Sequence, residues 1–211
     1  MSACCDHGCA PTQAADRGYR RILWVALAIN AAMFAIEIVA GFTASSAALK
    51  ADALDFLADA ANYAISLFAI GMAGYWTSRA ALLKGASMGA FGLYVLGDTA
   101  LKLATGSVPE PVTMGAVGVL ALAANGSVAA LLFSHRGIDA NRRSVWLCAR
   151  NDAIGNVAVL LAASGVFVSG TGWPDFLVAA IMAGLALSSA RLIIRQALGE
   201  LRRPLPAAAA D

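Results

Sequence analysis

The chain alternates long apolar stretches with short polar breaks. Predominantly hydrophobic runs cover residues 22–43, 47–74, 81–104, 112–133, 144–168 and 174–194. A helix rising about 1.5 Å per residue needs about twenty residues to cross roughly 30 Å of hydrocarbon, and every run meets that length. The breaks fall at Thr43 to Ser46, Trp76 to Arg79, Pro109-Glu110-Pro111, His135 to Arg143 and Gly170 to Pro174. Glycine, proline or charge interrupts the pattern at each of them. The fold class predicted is therefore all-α: a polytopic membrane protein with six transmembrane helices, successive helices being antiparallel neighbours. Three regions follow: a Cys/His-rich tail over 1–20, a six-helix transmembrane domain over 21–195 and a short tail over 196–211.

Composition sharpens this picture. Hydrophobic residues make up 60% of the chain and charged residues only 13%, against about 25% charged in soluble domains. Too little polar surface exists to wrap a water-soluble core. The net charge of +2, with no basic stripe interleaved with aromatics, gives nucleic acid nothing to bind. Charge position is more informative than charge total. With the N-terminus inside, the cytoplasmic side receives Arg17, Arg20, Arg21, Arg79, Lys84, Arg136, Arg142, Arg143, Arg191, Arg195, Arg202 and Arg203, and the outer side only Lys50 and Lys102. That asymmetry predicts both termini in the cytoplasm, with Arg150 snorkelling to the inner interface. No cleavable signal peptide is expected, because the first apolar run follows a polar segment and is long enough to span.

Ionisable groups inside a span are costly and mark function. Asp52, Asp55 and Asp59 share one face of the second span, being three and four residues apart. Three carboxylates cannot all stay ionised side by side in a low dielectric without a cation or protons. Cys148 and Asp152 are likewise four apart on the fifth span. Since the second span runs inward and the fifth outward, the two pairs can meet near mid-membrane. Asp55, Asp59, Cys148 and Asp152 then form a four-ligand set suited to tetrahedral binding of a zinc-like ion. Asp52 stands nearest the outer end and suits an access or structural role as well as ligation. Alone, Cys148 would be read as a small buried hydrophobe. Glu37, Asn30, Asn62, Asn125 and Asn156 read as hydrogen-bonding glue between helices. Asp98 is expected to pair with Lys102, and Asp175 to cap the first turn of the sixth helix.

A second constellation lies at the N-terminus, where Cys4, Cys5, His7 and Cys9 crowd together. This is a poor disulfide framework and a better thiolate site in a reducing compartment. It reads as a flexible tail that captures metal and delivers it to the pore.

These residues resemble those of the cation diffusion facilitator family. The likeness covers about residues 20–200 and runs through Leu27-Ala28-Ile29-Asn30 to Glu37, Gly41, Ser46-Ala47-Ala48-Leu49 and Ala51 through Asp59. It continues in Pro109, Pro111, Asn125, Asn141, Arg143 through Asn156, and Trp173-Pro174-Asp175. The resemblance implies a homodimeric secondary transporter, not an enzyme, that exchanges cytoplasmic divalent metal for protons across a bacterial inner (plasma) membrane. Zinc, cadmium or lead would be cargo, with no resident cofactor. The transport ligands implied are Asp55, Asp59, Cys148 and Asp152. Zinc-dedicated members often place histidine first in each pair, so Asp55 and Cys148 imply a taste for softer, larger ions. The chain reads as a short form without the usual C-terminal cytoplasmic domain, its N-terminal thiols partly taking over sensing. A rival reading is a membrane-bound metal sensor or chaperone centred on those thiols. An intramembrane aspartyl protease is disfavoured, because Val95-Leu96-Gly97-Asp98 lacks that family's motif, and an organic-cation permease would want an aromatic cavity.

Overall fold

The computed structural model describes residues 17–68, 74–133 and 140–202. Among them six helices follow one another: α1 (Arg17–Thr43), α2 (Ala47–Phe68), α3 (Gly74–Thr105), α4 (Pro111–Phe133), α5 (Ala140–Ser169) and α6 (Trp173–Leu201). Within α5 the side chains are described from Arg150 onward. Everything outside the helices among these residues is turn or short connection, with no strand.

Several helices outrun the apolar stretches that predicted them. α3 takes in Trp76 to Arg79 and α5 takes in Asn141 to Arg143, two segments expected as breaks, while α6 continues past residue 194. The reason is that backbone hydrogen bonding does not require apolar side chains. Where the chain leaves hydrocarbon, Ala, Leu and Arg keep the ladder going until a true breaker arrives. At the start of α3 the Arg79 guanidinium lies 5.4 Å from the Trp76 ring centre, a contact suited to the membrane–water boundary. True breakers do stop the chain. Gly170, at φ 64°, ends α5 in a conformation that an L side chain seldom adopts. Before α4, Glu110 accepts bonds from the Val112 and Thr113 amides at 3.0 and 2.6 Å. The hydroxyl and amide of Thr113 hold its carboxyl below the usual range.

Helices α1, α2, α4 and α5 close a four-helix bundle, and α3 pairs with α6 alongside it. Both members of the second pair pack on α2, so α2 touches α1, α3, α5 and α6. Every residue from Ala47 to Leu54 is buried. This central position explains an exception to the sequence pattern. Among the described residues five helices are long and apolar enough to cross a membrane by length and composition, and α2 is not among them. It carries Lys50, Asp52, Asp55 and Asp59, which its neighbours screen from the surroundings. The outward faces of those neighbours present Leu93, Leu161, Phe167 and Leu177. Greasy outside and charged at the centre is the reverse of a soluble bundle.

Two apolar layers bracket the charged stretch of α2. One joins Ala47, Leu49 and Ala51 to Ala40, Val95, Met114, Val159, Val166 and Ala183. The other joins Tyr63 and Leu67 to Tyr19, Leu23, Val128 and Leu132. Asp52, Asp55 and Asp59 lie between them along the helix.

The Ser46 end of α2 is fastened twice. Asp175 does not cap α6, as the sequence suggested; α6 starts at Gly172 without a side-chain cap. Instead its fully buried carboxylate accepts bonds from the Ser46 hydroxyl at 2.5 Å and from the Ala47 and Ala48 amides at 2.8 and 3.0 Å. It thus caps α2, a different helix, because α6 crosses where the first amides of α2 have no partner. Asp98 pairs with Lys102 at 3.0 Å, as expected, and also with Lys50 at 2.8 Å. Lys102 donates to the Ser45 carbonyl at 2.8 Å, and the Lys50 ammonium sits 4.4 Å from the Phe42 ring centre. Lys50 is only 3% exposed, so removing its carboxylate strands a buried charge. Asp98→Ala is expected to lower stability by about 2–3 kcal/mol, the lower side of a broken buried pair because the aromatic ring remains. Thermal unfolding in detergent micelles measures it, and an unchanged midpoint would contradict the pairing.

Candidate metal site

The spacing of three and four residues puts Asp52, Asp55 and Asp59 on one face of α2, as a helix of 3.6 residues per turn requires. That face looks into the four-helix bundle, where α5 supplies Asp152. The carboxyl groups of Asp59 and Asp152 lie within hydrogen-bonding reach of one another, which joins α2 to α5. Asp55 stands close enough to Asp52 and Asp59 to feel the charge of both. Oδ2 of Asp152 is buried without a hydrogen-bond donor. Two carboxylates that meet in this way repel unless a proton or a cation comes between them.

Around this pair the polar groups are arranged to hold Asp59. The Tyr63 hydroxyl, four residues on, donates to Asp59 Oδ2 at 3.4 Å. Lys84 of α3 hydrogen-bonds Asn62 Oδ1 and adds a positive charge near Asp59. Sequence reading had placed Lys84 among the cytoplasmic charges and Asn62 among the interhelical glue. The signal available was the length of α3: with a helix starting at Gly74, Lys84 lies nearly three turns inside it.

The predicted ligands are thus only partly gathered. Among the described residues no three His, Cys, Asp or Glu side chains converge closely enough to hold a metal ion. Asp59 and Asp152 are brought together, and Asp55 is beside them. Cys148 occupies its place in α5, one turn before Asp152, but its side chain lies outside those described. The tail residues Cys4, Cys5, His7 and Cys9 also lie outside the described residues.

Nearer the Ser46 end the expected glue is real but selective. Asn125 of α4 donates to Asn156 Oδ1 of α5 at 2.9 Å, and Asn156 donates to Asp52 Oδ2 at 2.7 Å. Asn30 instead bonds the Ala26 carbonyl of its own helix at 2.8 Å. Glu37 receives no donor at either carboxylate oxygen; it meets Asp52 instead.

The sequence between residues 23 and 202 matches the model of the cation efflux transmembrane domain. The chain belongs to the cation efflux family. Among curated relatives it is 27% identical over 201 residues to the metal cation efflux system protein CzcD of Cupriavidus metallidurans, covering 90% of this chain and 64% of the relative. It is 26% identical over 208 residues to the zinc transporter ZitB of Escherichia coli, covering 90% of this chain and 65% of the relative. The chain therefore spans a little under two thirds of the length of these efflux-family relatives. The membership agrees with the resemblance drawn from the α1–α2 and α5 motifs, and the all-helical bundle agrees with the family's transmembrane domain.

Proposed function

We propose that this cation efflux protein exports divalent metal ions, zinc and cadmium first and lead with them, from the cytoplasm in exchange for protons. The observation that carries the reading is the Asp59–Asp152 contact: two carboxylates from different helices, Asp59 buried and Asp152 half-buried with its Oδ2 enclosed, facing each other inside a bundle whose outside is apolar. Asp55 and Cys148 complete a set of four ligands, each one turn from its partner in the pair. The CzcD and ZitB relatives support metal as the cargo. Both termini face the cytoplasm of a bacterial inner membrane, and two copies assemble as a dimer. The N-terminal Cys4, Cys5, His7 and Cys9 feed the pathway.

The chemistry follows from what each group can do. Facing the cytoplasm, the carboxylates draw in a dication, and the Cys148 thiol loses its proton as it ligates. Lys84 and Tyr63 hold Asp59 in place. When the bundle rocks, protons from outside neutralise Asp55, Asp59 and Asp152 in turn and displace the ion. The protonated site returns, because carrying bare carboxylates through the bilayer is too costly. Proteoliposomes loaded with a metal-sensitive dye test this. Zinc and cadmium influx driven by an outward proton gradient is the expected result, and flux indifferent to that gradient would overturn the exchange.

The sulfur makes a separate prediction. Cys148→His replaces a soft ligand by a borderline one. The ratio of zinc to cadmium flux should rise about tenfold, the effect of about 1.4 kcal/mol of differential ligation. An unchanged ratio would remove Cys148 from the ligand set.

A further inference from the structure

Among the described residues, four carboxylates inside the four-helix bundle fall into two pairs, and only one pair belongs to the proposed transport site. Asp59 meets Asp152 across α2 and α5, while Glu37 of α1 meets Asp52 of α2, on the Ser46 side of Asp55. Glu37 is 0% exposed and Asp52 2% exposed. All four helices of the bundle converge here, because Asn156 of α5 holds Asp52 and Asn125 of α4 holds Asn156.

A purely adhesive role does not account for Glu37. Glue between helices needs donors matched to acceptors, and the amide donors at this point are spent on Asp52 and Asn156. Both oxygens of Glu37 are left without a donor in the interior. A glutamine would serve adhesion better. What a pair of facing carboxylates, one free and one oriented by an amide, is shaped to take is a positive ion. The amide chain behind Asp52 acts as an outer support that fixes the angle of a ligand.

We propose that Glu37 and Asp52 form a second, all-oxygen cation station, which receives the transported divalent ion after Asp59 and Asp152 let it go. The inference rests on the transport reading of the Asp59–Asp152 pair. Asp55 lies between the two stations, three residues from Asp52 and four from Asp59, and passes the ion from one to the other. Carboxylate oxygens are hard donors that favour ions such as Mn²⁺ and Mg²⁺. A soft ion held by sulfur at the first station is held more loosely at the second, which suits a place of passage on the way out.

The test uses the full chain in lipid nanodiscs with Mn²⁺ alone as the probe, followed by its electron paramagnetic resonance. An oxygen-only station binds Mn²⁺, whereas the thiols of the tail and of Cys148 prefer softer metals. Wild type should bind Mn²⁺, Asp59→Asn should still bind it, and Glu37→Gln should lose it. Asn156→Ala should weaken it by about 10–100-fold. Glu37→Asp, which keeps the charge on a shorter arm, guards against misfolding of the amide variant and should bind measurably more weakly than wild type. No Mn²⁺ on wild type, or equal binding by wild type and the Glu37 variants, overturns the station and leaves the pair sharing a proton. Mn²⁺ bound by Glu37→Gln but lost in Asp59→Asn also overturns it, while sparing the transport site. Zinc flux that survives Asp59→Ala would instead sink the transport reading on which the station depends.

Discussion

On the proposed transport reading, Asp59→Ala is expected to abolish metal flux while the protein still reaches the membrane and folds. Asp59 of α2 meets Asp152 of α5, and it receives the Tyr63 hydroxyl and the nearby charge of Lys84. Removing one member of a desolvated charged set costs on the order of 3–5 kcal/mol. In binding terms that is about a hundred- to a few thousand-fold, enough to take flux to background. Stability should move the other way or not at all, since the change relieves the repulsion between Asp59 and Asp152. The measurement pairs zinc and cadmium uptake by proteoliposomes with thermal unfolding of the same preparation. Wild-type flux from Asp59→Ala, at equal reconstitution, would refute the site.

Asp175→Ala gives the opposite signature: a large loss of stability with the ligands untouched. The carboxylate accepts from one hydroxyl and two backbone amides at the start of α2. All three donors lie in a buried region, so none recovers a partner easily once the acceptor is gone. At about 1–3 kcal/mol for each stranded group, with partial relaxation, the expected destabilisation is about 3–5 kcal/mol. Asp175→Asn keeps one carbonyl acceptor and should cost about half as much. Ser46→Ala, which removes one donor to Asp175 and also the acceptor of the Leu49 amide at 3.1 Å, should cost about 1–2 kcal/mol. An Asp175→Ala protein as stable as wild type would mean that the cap contributes nothing.

Much of the architecture was readable from the chain because lipid imposes a length and a polarity on each helix. The six helices, the breaks at Ser46, Pro109–Pro111 and Gly170, and the acidic face of α2 all follow from local spacing. The meeting of Asp59 with Asp152 was also foreseeable, since two antiparallel helices bearing buried carboxylates at matching depth have few places to hide them. What was not readable depends on contacts between residues far apart in the chain. Nothing near Asp175 announces that its acceptor serves Ala47 and Ala48, more than a hundred residues away. Lys84 was counted by its charge alone, and only packing shows that it reaches Asn62 and the neighbourhood of Asp59. Glu37 was grouped with the asparagines by residue type, and only packing shows that it meets the Asp52 carboxylate with no donor to either oxygen, whereas Asn156 donates to that same carboxylate. The limits of the apolar runs misjudged helix ends for a simple reason: hydropathy reports where lipid is, not where the helical ladder stops.

The double fastening at the Ser46 end bears on how such a molecule moves. The Asp175 carboxylate of α6 and the Asp98–Lys102 pair of α3 grip neighbouring backbone and Lys50 at the start of α2, so prising α2 from the α3–α6 pair there breaks the cap and the ion pairs in one event. Water entering that side meets a latch with two settings, shut or fully undone, and no graded series between them.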